Sequence, residues 1–407
     1  MKKLLLLALP LLLVACGPGT RSRTYDPATV RFEASYNSLF DGILYPSVLL
    51  ALANYSGPEE EASFSVSVTA PANNAVLRVT VDSTALNYVT ILQEVMPRKG
   101  ERYTFYPKVK WKYDKLYRQR QQRPIDLSFT CYVNDEEVDV KTLRLNCRSV
   151  SDCPLSMRDT AGRSYDFRWL FMGYVNEEHP IIDSILNTIV QQGIVSGFTG
   201  YQKGSQQVVR QVEAIWYYAL ERGITYSSIS CTANPSKRAS TQHIRFFDEV
   251  YNSRQANCID ACVFFASLMR KVGLKPVILV EPCHAYLGYY ADNKKRDLRL
   301  LETTITGWVN FPAMSRSMAD NGKLTPDQEA TVKKYLSSDA YRRWSNNEIS
   351  FPDLKRLIAD TLFARASRYQ AENYAANKKL FLDTAQMGYL FLPVEDLRKM
   401  IQPISGE

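Results

Sequence analysis

The chain has 407 residues, 45% apolar, 23% charged and 12% aromatic, and its 18 Gly and 19 Pro are too few for a low-complexity or collagen-like protein. At ~100–200 residues per domain the length predicts two or three domains, and no apolar run reaches the ~18–20 residues of a bilayer span, which argues against a multispanning membrane protein. The 50 basic residues against 42 acidic ones give a formal charge of +8; two of those lysines fall in a segment expected to be removed, and no nucleic-acid partner is expected from this balance.

Lys2 and Lys3 precede an apolar run over residues 4–14 that closes in Leu13-Val14-Ala15-Cys16-Gly17. A positive start, a short apolar stretch and a small-residue cleavage site make a secretory signal, and the run is too short for a transmembrane helix. The segment resembles a bacterial lipoprotein signal. That resemblance implies cleavage before Cys16, acylation of its sulfur and attachment by several acyl chains, because one chain alone holds a protein on a membrane only marginally. Residues 1–15 are thus expected as leader and 16–24 as tether, with the protein in the cell envelope, on the outer membrane facing the periplasm. Beyond Cys16 remain Cys131, Cys147, Cys153, Cys231, Cys258, Cys262 and Cys283. An odd number leaves at least one thiol over even where disulfides persist, and Cys147 and Cys153 are spaced to pair.

Over residues 25–150 the runs 63–69, 76–81, 125–133 and 138–145 alternate or are rich in β-branched residues, and are punctuated by Pro-Ala-Asn-Asn and Asn-Asp turns. Period-2 patterning predicts antiparallel strands in a β-sandwich domain. The basic and aromatic stretch 98–124 is read as solvated strand faces and a polar loop, with Lys guarding sheet edges. After Cys153 the period becomes helical. Helices are expected over 180–195, over 205–222 with a stop at Gly223, from Thr325-Pro326, and over 352–384, the last with an interruption.

The segment 242–304 carries the chemistry. Asn257-Cys258-Ile259-Asp260 opens a helix, with Asn257 as N-cap and Gly273 as the stop, so Cys258 sits at a helix N-terminus, where free N–H groups and the dipole favour a thiolate. A strand at 276–280, the stretch Glu281-Pro282-Cys283-His284, a strand at 285–290 and a third strand ending in Leu301-Glu302 follow. Nucleophile, base and orienting carboxylate then come in the order Cys258, His284, Glu302. His243 is assigned to a polar surface and His179 to a helix start. Neither a metal-ligand spacing nor a phosphate or dinucleotide motif is present, so no cofactor and no metal are expected.

Gln242-x-x-Arg245, Asn-Cys258-Ile-Asp260, Gly-Leu-Lys-Pro-Val, Pro-Cys-His284-Ala and Leu-Glu302-Thr-Thr together resemble the transglutaminase-like superfamily, over about a quarter of the chain. The resemblance implies a papain-like α+β domain with Cys258 as nucleophile, His284 as general base and acid, Glu302 as orienter, and Gln242 with the Cys258 N–H as oxyanion donors. Ala256 stands where a glycine is usual and Glu302 where aspartate is commoner, so Asp292 and Asp297 stay open as orienters. Cys283 beside His284 raises a disulfide with Cys258 as a way to silence the site, although strand alternation would turn Cys283 to the opposite face. The expected organisation is α+β: a β-sandwich over 25–150, a transglutaminase-like thiol domain over 151–310 and a helical extension over 311–407. The expected activity is thiol acyl transfer (peptidase, amidase or transglutaminase chemistry) on a peptide or protein of the envelope. The alternative is a silent module of this fold serving as a protein- or glycan-binding scaffold.

Overall fold

The structure is a computed structural model, described for residues 25–40, 42–54, 63–228, 238–383 and 388–405. Cys16, the leader, the tether and Cys231 lie outside the described residues. The architecture is mixed α+β.

The front of the chain is β1 (Phe32–Tyr36), β2 (Ile43–Leu44), α1 (Pro46–Ala51), β3 (Phe64–Thr69), β4 (Ala75–Val81), β5 (Thr90–Met96), β6 (Arg102–Phe105), α2 (Tyr113–Tyr117), β7 (Arg123–Val133) and β8 (Glu136–Cys147). One sheet runs β1-β3-β6 and a second runs β2-β8-β7-β4-β5. The alternation decides what they bury: Phe64, Val66 and Val68 of β3 and Leu77, Val79 and Val81 of β4 meet Leu127, Phe129 and Cys131 of β7 in one core, while the residues between them face outward. β7 and β8 are joined by Asn134 and Asp135, both at positive φ (50° and 68°), a turn whose twist suits a two-residue hairpin. Within 98–124, β6 is a strand with an exposed face, as expected, and α2 is a short helix where the sequence predicts a polar loop.

The rest comprises β9 (Asp152–Arg158), β10 (Ser164–Asp166), α3 (Ile181–Gln191), α4 (Gly204–Arg222), β11 (Thr225–Tyr226), β12 (Ala239–His243), α5 (Phe247–Ser253), β13 (Gln255–Ala256), α6 (Cys258–Lys271), β14 (Pro276–Glu281), β15 (His284–Tyr290), β16 (Leu298–Leu301), α7 (Phe311–Asn321), α8 (Pro326–Tyr335), α9 (Ser338–Ser345), α10 (Phe351–Leu382), β17 (Leu390–Pro393) and α11 (Val394–Leu397). α4 stops where Gly223 turns left-handed at φ 76°, and a Cβ there would stand 2.8 Å from Pro312 Cγ.

The central sheet runs β16-β15-β14-β17, all antiparallel. β14 reads Pro-Val-Ile-Leu-Val-Glu without polar alternation because both its faces are covered. Ile278 and Val280 join the large core that holds α6, whereas Val277 and Leu279 pack with Tyr286, Leu300 and Phe381 of α10 on the other face. The C-terminal region, read from sequence as helical, thus gives the sheet a strand and α10. That helix is continuous for 32 residues rather than interrupted.

Candidate functional site

α6 begins as its sequence dictates. Asn257 Oδ1 accepts from the Asp260 N–H (2.9 Å), and Asp260 Oδ2 accepts from the Asn257 N–H (3.0 Å), a reciprocal cap. Asp260, fully buried, also accepts from the backbone N–H (2.9 Å) and side chain (2.8 Å) of Arg245, which ties the chain after β12 to the helix start. These bonds leave the N–H of Cys258 without a partner among the described residues.

The β14–β15 hairpin turns through Pro282 and Cys283, with Glu281 opposite His284. Cys283 therefore occupies the turn, exposed and at φ 65°, a conformation that glycine or asparagine adopts at less cost. His284 opens β15 and Glu302 immediately follows β16, so the antiparallel pairing of those two strands brings them together. His284 Nε2 lies 2.8 Å from Glu302 Oε2, and the Cys258 sulfur is near enough to the imidazole to favour its charged form. With Nε2 engaged by the carboxylate, Nδ1 is the nitrogen left for sulfur.

Glu302 is 3% exposed. Its Oε1 accepts from the Thr304 N–H (2.9 Å) and hydroxyl (2.6 Å); its Oε2 accepts from His284 and from Gln370 Nε2 of α10. Burial alone would raise its pKa, but the hydrogen bonds from His284 and Thr304 and the imidazolium's charge outweigh that and hold the carboxyl below its ordinary value. Burial likewise opposes charge on His284, yet the Cys258 sulfur and the Glu302 carboxylate overcome it and push the imidazole up to about 10. The ring is thus an imidazolium at neutral pH, held between sulfur and carboxylate.

Of the three carboxylates open as orienters, Glu302 has the position. Asp292 accepts N–H groups of its own turn, from Lys294, Arg296 and Asp297, and Asp297 pairs with Arg299. Gln242 sits in β12 opposite Cys153 of β9, and the neighbouring His243 lies 3.6 Å from Asp152. His179 accepts from the Ile181 N–H at the start of α3 and packs on Phe247.

The six described cysteines are free thiols, so neither a Cys147–Cys153 nor a Cys258–Cys283 bridge is present. Cys147 and Cys153 instead donate to the nearby carbonyls of Arg148 and Pro154 inside the core. Burial pushes Cys131 and Cys147 up to about 12 and Cys153 and Cys262 well above the ordinary thiol value, which makes all four poor nucleophiles. Half-buried Cys258 and exposed Cys283 are the accessible ones, and Cys258 has the imidazolium.

Gln370, fully buried and 68 residues beyond Glu302, has no sequence signal of its own. It accepts from Asn373 Nδ2 (3.2 Å), which also donates to Glu281 (3.0 Å) at the end of β14. Gln370→Met keeps the volume but removes the donor to Glu302. The expected result is a roughly tenfold slower alkylation of Cys258 and a destabilisation of ~1–2 kcal/mol, the cost of a charged group losing one buried hydrogen bond, read by mass spectrometry and urea unfolding.

Among the described residues no group of three or more His, Cys, Asp or Glu is placed to hold a metal ion, and no helix is long and apolar enough to cross a membrane. Comparison of the chain with known protein families returns no match, and comparison with curated proteins returns none.

Proposed function

We propose that this protein is a thiol acyl-transfer enzyme with a papain-like, transglutaminase-like catalytic unit behind an N-terminal β-sandwich, carried on the cell envelope by lipid at Cys16. The observation that carries the reading is the imidazolium of His284 held between the Cys258 sulfur and a Glu302 carboxylate whose acceptors are fully engaged.

The Cys258 thiolate, paired with the His284 imidazolium, attacks the carbonyl carbon of a carboxamide or peptide bond. A carbon–sulfur bond forms as the carbonyl π electrons move to oxygen, and the unpartnered N–H of Cys258 is the first donor to that oxyanion. Gln242 is the candidate second donor. Collapse of the tetrahedral species breaks the carbon–nitrogen bond, and His284 gives its proton to the leaving amine. Now neutral, His284 takes a proton from water or a second amine as it attacks the acyl-sulfur bond. Cys258 leaves as thiolate and the imidazolium is restored. Glu302 stays ionised throughout and holds Nε2, so the ring cannot turn Nδ1 away from sulfur. The substrates are peptides or proteins of the envelope.

The test is the rate of iodoacetamide alkylation of each cysteine against pH, resolved by site, in wild type and His284→Ala. Cys258 is expected to react fastest below pH 7 and to slow at least tenfold in His284→Ala, with Cys283 unchanged. Equal Cys258 rates in the two proteins would overturn the thiol–imidazole pair.

A further inference from the structure

Next to the three reactive groups lies a surface whose composition is unusual for solvent-facing residues. Glu302 leads through Thr303 into a single helical turn, Thr304–Trp308, and Trp308 ends it 46% exposed. Lys334 Nζ stands 5.9 Å from the Trp308 ring centroid and the Arg365 guanidinium carbon 5.2 Å, with Tyr335 stacked on the indole at 6.4 Å. Each cation gains about 0.5–1 kcal/mol from such a ring when exposed. That is enough to hold it in place, but the ring does not neutralise it. Among the described residues neither Lys334 nor Arg365 pairs with a carboxylate; their contacts are aromatic.

The same surface is fastened to the segments that carry Cys258 and Glu302. Gly307 packs against the backbone of Tyr226, whose own ring is 48% exposed. Tyr226 pairs with Ala256, two residues before Cys258. Arg365 precedes Ala366, whose carbonyl accepts the N–H of Glu302 (3.4 Å), and Tyr369, one turn further along α10 and 61% exposed, precedes Gln370. Two uncompensated positive charges and three exposed aromatic rings are thus carried by segments that join the site: Trp308 follows Glu302 by six residues, Tyr226 pairs two residues before Cys258, and Arg365 adjoins the residue bonded to the Glu302 N–H.

We propose that this surface, given the thiol acyl-transfer reading on which it rests, binds an acidic stretch of the substrate polypeptide, so that the enzyme selects carboxamides with Asp or Glu side chains within a few residues. Carboxylates on that stretch reach the Lys334 ammonium and the Arg365 guanidinium, the latter able to take one in two parallel hydrogen bonds, while Trp308, Tyr226 and Tyr369 give the intervening chain apolar area to lie on.

The test uses three iodoacetyl-capped peptide amides, acidic (Asp-Glu-Ala), neutral (Ala-Ala-Ala) and basic (Lys-Lys-Ala), on the full chain at low ionic strength. The Cys258 sulfur displaces iodide as the new carbon–sulfur bond forms, and the second-order rate is read at Cys258 by mass spectrometry. The acidic probe is expected to label Cys258 about tenfold faster than the basic one, with the ratio falling towards one in 1 M salt, where the screening length is about 3 Å. In Lys334→Glu/Arg365→Glu the order should invert, while Lys99→Glu/Lys108→Glu, an equal change of net charge on the β-rich front, should leave it as in wild type. Equal rates for acidic and basic probes, or an unchanged ratio in the Lys334/Arg365 variant, would overturn the acidic-substrate surface. Plain iodoacetamide on the same samples separates the two ideas: a His284-dependent rate without charge discrimination removes this surface alone, and a His284-independent rate removes the catalytic thiol.

Discussion

Glu302→Ala is expected to destabilise the protein by ~2–4 kcal/mol and to slow Cys258 alkylation to the level of His284→Ala. The carboxylate accepts from four donors, His284 Nε2, Gln370 Nε2, and the Thr304 N–H and hydroxyl. Gln370 is fully buried and the His284 side chain is 28% exposed, so water replaces few of these bonds once the acceptor is gone. Removing one member of a buried charge pair costs about 3–5 kcal/mol, and the partial exposure of His284 brings the figure down. Glu302→Gln separates charge from shape, because its amide oxygen still accepts from Thr304 but the negative charge that holds the imidazolium is gone. It should fold with a loss of about half that size and still alkylate slowly. Urea midpoints and site-resolved alkylation on the same samples check both, and a Glu302→Ala protein within about 0.5 kcal/mol of wild type would show that the carboxylate does not anchor the ring.

The local half of this site is legible in the amino-acid order. Asn257 and Asp260 cap α6 through contacts three residues apart, and the run from Pro276 to Leu301 alternates strands and turns closely enough to place His284 and Glu302. What the order does not reveal is long-range. Gln370, Asn373 and Asn377 sit on α10 at spacings of three and four, and polar residues mid-helix read as a solvated face or an interruption; here they turn to one another and to Glu302 and Glu281. β5 shows no clean alternation because it is the edge strand of its sheet, with Ile91 and Val95 on its exposed side. β17 is four residues that pair only with β14, over a hundred positions earlier. Cys283 was expected on a strand face opposite His284; it belongs to the turn because Pro282 fixes its own φ and cannot donate to the ladder.

The stability contributed by the ionised His284–Glu302 pair should be greatest between about pH 4.5 and 6.5 and should fall on either side. His284 is raised from 6.5 to about 10 on folding. Below 6.5 the ring is charged in folded and unfolded chains alike and its interactions are fully present. As the pH climbs from 6.5 towards 10 the unfolded chain sheds a proton that the folded one keeps, so stability drops and the contribution is gone above about 10. Glu302 moves the other way: held below its ordinary 4.5, it stabilises above that pH and loses its contribution as the pH falls through its folded value. A His284→Gln/Glu302→Gln protein keeps two hydrogen-bonding side chains of similar size and neither titration, so the difference in unfolding free energy between it and wild type isolates the pair from the other carboxylates. Measured with Cys258→Ser in both proteins, which takes the thiol's own proton out of the balance, that difference should shrink by about 1–2 kcal/mol from pH 6 to pH 8, the slope of up to one proton over the range. Urea unfolding at pH 4, 6 and 8 measures it. A difference that grew from pH 6 to pH 8 would mean that the folded site holds a neutral imidazole.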